Sequence, residues 1–210
     1  MKKPVVLLLV FLAVAALVGY YFFAPNTKQE VASSNNQIPL EKKRGGLIYG
    51  EKYSYNLLAP EGWVIDTEAG AANGFNAVFY PMNKTWQTAE AIIYTVAEQK
   101  NGKNLEQYIN SNINWYKSKF AEVQVSDWEP LTTSEGQSVP TKLFDADSKT
   151  AMELVAYVDS PYTVNRIVLV AKNEDAFTAG FSALDELVKS YKFVSADVEV
   201  KTPEQAQQGE

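Results

Sequence analysis

From Pro4 to Ala24 the chain carries no charged side chain: the run PVVLLLVFLAVAALVGYYFFA is preceded only by Met1, Lys2 and Lys3. No other feature narrows the folding alternatives as far. A helix needs ~20 apolar residues to cross the hydrocarbon core of a bilayer, and lipid offers a spanning backbone no hydrogen-bond partners other than its own. The rival is a cleaved signal peptide, because Ala13-Val14-Ala15 has the small-x-small form of a cleavage site. Cleavage there leaves Leu17 to Phe23 as an apolar new terminus, so the sequence predicts an uncleaved transmembrane signal anchor over residues 1–25, with the membrane contacted via residues 4–24. Tyr20, Tyr21, Phe22 and Phe23 lie where an interfacial aromatic belt belongs. Lys2 and Lys3 beside a short amino terminus place the body outside the cytoplasm, with the more distant Lys42, Lys43 and Arg44 weighing the other way. The expectation is a single-pass protein of the plasma (inner) membrane, its body facing the periplasm or the cell exterior.

Residues 26–46 are polar, lack periodicity and end in Lys42-Lys43-Arg44-Gly45-Gly46, which reads as a flexible linker. The basic trio is either a solvated part of that linker or a contact for anionic lipid or a protease site. From Leu47 the pattern changes to short strands. Tyr53 to Ala59 and Trp63 to Thr67 flank Ala59-Pro60-Glu61-Gly62, where Pro at the second and Gly at the fourth position favour a type I turn. The expected result is an opening hairpin with Trp63 as a core anchor. Phe75 to Tyr80 and Ala91 to Glu98 follow as strands rich in β-branched and aromatic residues. After the Asn101-Gly102 turn, Asn104 precedes Leu105, Tyr108, Ile109, Ile113, Tyr116 and Phe120 at helical spacing, and Gln107 completes a capping box. Four further strands are expected at Val123 to Glu129, Val139 to Asp145, Met152 to Asp159 and Val164 to Ala171. The last two should form a hairpin about Ser160-Pro161-Tyr162. A second helix begins near Glu174, whose charge and that of Asp175 suit the positive end of a helix dipole, and Phe177, Phe181, Leu184, Leu187, Val188 and Tyr191 line its apolar face. Residues 196–210 are polar and rich in Gln and Glu, and are read as a disordered tail.

The chain has neither cysteine nor histidine. Disulfides, thiolate chemistry and a cysteine-linked lipid anchor are thereby excluded, as are Ser-His-Asp catalysis and the commonest metal ligand. The net charge of −6 divides unevenly, +4 over residues 1–46 and −10 over residues 47–210. An acidic body is repelled by nucleic acid, so none is expected as a partner. No catalytic, cofactor-binding or metal-ligating residue is assigned, and no cofactor.

Tyr-x-Tyr-x-x-Leu-x-Pro-x-Gly-Trp at Tyr53 to Trp63, Phe79-Tyr80-Pro81, the helix at Leu105 and the closing Phe177…Phe181…Leu184…Tyr191-x-Phe193 occur in an order that resembles the PsbP-like superfamily, which includes PsbP and DcrB-like domains. The resemblance runs from about Leu47 to Val194, within a domain of residues 47–195. It implies an α+β fold in which a central, mostly antiparallel sheet is packed by helices, here preceded by one N-terminal transmembrane helix. It also implies protein binding and assembly without enzymatic activity. Metal binding in PsbP-type proteins involves histidines, so no metal site is carried over to this chain.

Some residues carry groups capable of chemistry. Asp66/Glu68 and Asp127/Glu129 alternate on strand-like segments, so each pair would share a face, as a carboxylate-based hydrolase of envelope glycans would require. Asp145-Ala146-Asp147-Ser148-Lys149 opens like a calcium loop, but Thr150 and Ala156 stand where its Gly and Glu belong, and a hairpin turn is the better reading. Trp86, Trp115 and Trp128 could line a small-ligand cleft. Trp115 falls off the Leu105/Tyr108/Ile109 face and is the candidate contact for an as yet unknown protein partner. The leading expectation is a membrane-anchored, non-enzymatic domain that binds or helps assemble such a partner. The alternatives are the hydrolase and a small-ligand-binding domain.

Overall fold

Apolar alternation sets which residues can share a sheet face, and two sheets result. The computed structural model describes residues 45–120, 122–145 and 152–198. Among these residues the strands are β1 (Gly45–Gly50), β2 (Tyr53–Leu58), β3 (Trp63–Asp66), β4 (Ala77–Pro81), β5 (Ala91–Gln99), β6 (Gln124–Thr132), β7 (Ser138–Asp145), β8 (Met152–Asp159), β9 (Thr163–Ala171) and β10 (Lys192–Ser195). The helices are α1 (Thr67–Ala72), α2 (Leu105–Lys119) and α3 (Glu174–Ser190). The anchor over residues 1–25, nearly all of the linker, the turn between Asp145 and Met152 and residues 199–210 of the tail lie outside the described residues. Among the described residues no helix is long and apolar enough to cross a membrane.

The larger sheet has seven strands in the order β3-β4-β5-β9-β8-β7-β6, antiparallel throughout. Its central strand β9 is buried at every position, and so it carries the near-continuous run Val164, Ile167, Val168, Leu169, Val170 instead of an alternation. On one face, Ile93, Ile167, Leu169, Leu154 and Ala156 meet Leu184, Leu187 and Val188 of α3. On the other, Tyr94, Val168, Val170, Val155 and Tyr157 meet Tyr108, Ile109 and Tyr116 of α2. The α+β architecture expected from the sequence is therefore present, with the β8–β9 hairpin and the α2 capping box where they were placed.

The opening hairpin is not. β2 pairs with β1 on one edge and β10 on the other, while β3 pairs with β4 at the edge of the larger sheet. A strand has two hydrogen-bonding edges, and both edges of β2 are taken: one by β1 across the short Glu51-Lys52 connection, the other by the chain end after α3. The Pro60 turn carries the chain from one sheet to the other. Its hydrogen bond runs from the Trp63 N–H to the Pro60 carbonyl at 3.0 Å, with Gly62 third in the turn at φ 76°. That is the position where a type II turn needs positive φ, so the type I expectation was displaced by one residue. Trp63 is half-buried against the α3-side core and does not anchor its centre.

Smaller departures have local causes. β1 begins at Gly45, two residues inside the stretch read as linker. α1 follows β3 directly because Asp66 caps it, accepting from the Ala69 N–H at 2.8 Å. Gly70 of α1 lies so close to Ala77 that an added Cβ would stand 2.7 Å from the Ala77 Cα, which lets the short helix lie on β4. β6 runs on through Pro130 to Thr132 by a register irregularity between Trp128 and Leu131, as expected of a proline on an edge strand.

Candidate functional site

Two places combine unusual chemistry with defined geometry: the layer beneath α2 and the outer face of the three-stranded sheet. Beneath α2, Asn104 starts the helix by accepting from the Gln107 N–H at 2.9 Å, while the Gln107 side chain accepts from the Asn104 N–H at 3.0 Å. Tyr108, Asn112 and Tyr116 then recur at four-residue steps and form a single stripe. Each bonds to the sheet. The Tyr108 hydroxyl donates to Glu98 of β5. Asn112 accepts from the Tyr157 hydroxyl at 2.7 Å, and the Tyr116 hydroxyl donates to Glu153 of β8 at 2.6 Å. Arg166 of β9 lies between them, with Nη2 2.7 Å from Glu98 Oε1.

This layer is dry enough to move proton affinities. Burial raises the Tyr108, Tyr116, Tyr94 and Tyr157 hydroxyls well above the ordinary tyrosine value, so each stays a donor. Burial also raises the Glu153 carboxyl, against the opposing pull of the Tyr116 hydrogen bond and Arg166. For Arg166, burial by itself lowers the value, but Glu98 and the surrounding tyrosines outweigh it and hold the guanidinium charged. Arg166 Nε is buried without a hydrogen-bond partner. What the arrangement accomplishes is directional attachment of α2 to the sheet.

The three-stranded sheet presents a different surface. Register places Leu47, Asn56 and Lys192 in one row across β1, β2 and β10, Tyr49 beside Ser54, and Gly45 beside Leu58. Leu47, Tyr49 and Leu58 are 51%, 63% and 52% exposed, whereas the alternate residues Ile48, Tyr55 and Leu57 are buried against α3. On β10 the outer face carries Lys192, whereas Phe193 lies opposite Tyr55 on the other side. Tyr55 seats this sheet on the rest: it stacks on Tyr53 and Tyr191, with centroids 6.0 and 5.3 Å away, and its hydroxyl approaches Thr95 of β5 at 3.4 Å. The Leu58 N–H donates to Ser190 Oγ at 2.9 Å. Beyond β10 the chain continues to Val198, whose carbonyl accepts from the Lys52 N–H at 3.2 Å.

Trp115 is half-buried, packed against the core under α2 and edge-on to Tyr116 with centroids 5.1 Å apart. Trp86 packs against the same core, whereas Trp128 packs on the opposite side, edge-on to Phe177 and Phe181, so the three indoles do not converge on one cleft. Of the two carboxylate pairs, Asp127 and Glu129 lie along β6 as expected, but Asp66 and Glu68 do not lie on one strand. Asp66 caps α1 and accepts from the Tyr80 hydroxyl at 2.8 Å, while Glu68 lies within α1, so the two do not share a strand face. Asp127 is in an ion pair with Lys142. The exposed face of the small sheet was missed by sequence reasoning, although Leu47-x-Tyr49 and Leu58 already show apolar residues on the side opposite Ile48, Tyr55 and Leu57.

No protein-family model matches the chain, and no curated protein does. Among solved structures it is similar to the solution structure of cyanobacterial PsbP (CyanoP) from Synechocystis sp. PCC 6803, at 15% identity and a TM-score of 0.49, over 78% of this chain and 98% of that one. That likeness is one of overall fold.

Proposed function

We propose that this chain is a membrane-anchored, non-enzymatic protein whose PsbP-like domain lies outside the cytoplasm and binds or helps to assemble a protein partner. The observation that carries this reading is the outer face of the small sheet. Single exposed apolar residues are ordinary on a protein surface, but Leu47, Tyr49 and Leu58 lie on neighbouring strands of one face, and exposed apolar residues gathered in that way mark an interaction site. Trp115 is a second contact point, on the opposite side of the molecule's main sheet. The apolar run at residues 4–24 supports the anchor, and the reading uses no cofactor.

A photoreactive residue at Tyr49, and separately at Trp115, tests this in intact cells. A discrete adduct from Tyr49 is expected, and diffuse background from both positions would overturn the reading. Orientation is tested apart from binding. Single cysteines at Asn35 and Lys192 in this cysteine-free chain should react with an impermeant reagent from outside the cell, and labelling only after lysis would reverse the topology.

A further inference from the structure

The two hydroxyl-to-carboxyl bonds that fasten α2 to the sheet are unequal. Near the start of the helix, Glu98 has both carboxylate oxygens engaged, Oε2 by the Tyr108 hydroxyl and Oε1 by Arg166 Nη2 at 2.7 Å. Arg166 supplies that cation from a side chain only 7% exposed. Near the end of the helix, the Tyr116 hydroxyl donates to Glu153 Oε2 at 2.6 Å, and among the described residues no ion pair reaches Glu153. One guanidinium thus serves a layer with two carboxyl groups, and it is bound to the first. An ionised carboxylate only accepts hydrogen bonds, and away from water a single hydroxyl does not replace a cation.

The titratable groups facing Glu153 are Tyr116 from α2, Tyr94 from β5, Tyr157 from β8 itself and Arg166 from β9. Across β7 it lies opposite Phe144, and Lys142 of that strand is engaged by Asp127. Across β9 it lies opposite Val170, with Lys172 just past the strand end, its N–H donating to the Glu90 carbonyl. Lys117 and Lys119, in the last turn of α2, are exposed.

We propose that the C-terminal half of α2 is a proton-gated flap: it lies on the sheet while Glu153 is protonated and lifts when that carboxyl ionises, the N-terminal half being held throughout by Glu98 and Arg166. Nothing in this device depends on the protein-binding reading, because the isolated chain shows it. The proton leaves a Glu153 oxygen for water as the flap opens. The Tyr116 hydroxyl, which burial holds far above its ordinary value, keeps its own. Ionisation favours opening because the new charge is hydrated only there. A group protonated when closed and ionised when open makes the opening constant rise about tenfold per pH unit, from the ordinary carboxyl value of 4.5 up to the closed-state value. Lifting bares Trp115 and Tyr116, which pack edge-on in that half of the helix.

Amide exchange of the full chain, followed against pH, tests this. The ratio of exchange in residues 113–119 to that in residues 105–111 cancels the base catalysis common to both. It should rise above 4.5 by up to about tenfold per pH unit and then level off. In Glu153→Gln, the neutral isostere, the ratio should keep its low-pH value throughout. In Tyr116→Phe, which lacks the hydroxyl, it should be raised already below 4.5, and an unaltered ratio there overturns the flap even where the glutamine variant does not fold. A parent ratio that stays flat means that a cation from elsewhere in the chain holds Glu153 ionised, and it overturns the proposal. So does a slope that survives in Glu153→Gln, and so does equal acceleration along the whole of α2, which would make the helix leave as one unit.

Discussion

The two faces of the seven-stranded sheet are covered by helices attached in different ways. α3 buries Ala176, Phe177, Gly180, Ala183, Leu184, Leu187 and Val188 and makes a close, apolar approach to the sheet. At Gly180 an added Cβ would stand 2.6 Å from Leu169 Cδ1. α2 buries Tyr108, Ile109 and Tyr116 and reaches the sheet through hydroxyl-to-carboxylate bonds around Arg166. Apolar attachment tolerates small shifts, because burial has no direction. The α2 layer is directional, and it depends on every buried polar group keeping its partner. One sheet thus carries a packed side and a polar-networked side, and they should fail differently.

The largest effect is expected from Arg166→Met. It leaves the Glu98 carboxylate without its cation and should cost about 3–5 kcal/mol in denaturant unfolding, as for other broken buried ion pairs. Adding Glu98→Gln should recover a large part of that loss, and a double variant as unstable as the single would mean that the guanidinium acts by packing alone. On the opposite side, Leu184→Ala should cost about 2–5 kcal/mol through the cavity it leaves, with no pH dependence of its own.

Tyr116→Phe should cost about 1–3 kcal/mol, because the Glu153 carboxyl loses its donor in a dry layer. The same pair predicts a pH signature. The folded-state value of Glu153 lies above the ordinary 4.5, so the folded chain holds a proton that the unfolded chain has released. That contribution to stability is fully present below the ordinary value and is lost as pH rises through the folded-state value. Glu153→Gln should flatten the stability profile on the acid side, and an unchanged slope would place the dependence elsewhere. The smallest effect is Asn104→Ala, which removes the α2 cap and should cost about 1 kcal/mol, read as faster amide exchange in the first turn of α2 ahead of α3.

Much of this arrangement was legible beforehand. The strands Ala91 to Glu98, Met152 to Asp159 and Val164 to Ala171 were visible because burial on two faces demands long apolar runs. The faces of both longer helices followed from their spacing, and the α2 cap from Asn104 and Gln107. What stayed hidden was the polar content of the α2 face. Tyr108 and Tyr116 counted as apolar by periodicity, and their hydroxyl partners Glu98 and Glu153 come from separate strands. Glu98 itself read as the end of a strand, with nothing to show that it would meet Arg166. The small sheet was hidden for a related reason: β10 joins β2 across most of the domain, with Lys192 opposite Asn56.

Sequence alone determined the missing chemistries, through the absence of histidine and cysteine, and the inward and outward side of each element, through periodicities that are local properties of the backbone. Tertiary structure decided which strand borders which. Tyr53 to Asp66 shows the difference: alternation correctly marked two strands and a turn, yet the strands belong to different sheets. Period two orients side chains above and below a sheet but is silent about the hydrogen-bonding direction that runs across it. That direction is settled by competition among distant segments for a limited number of edges, which gave β2 two neighbours and left β3 at the edge of the other sheet among the described residues.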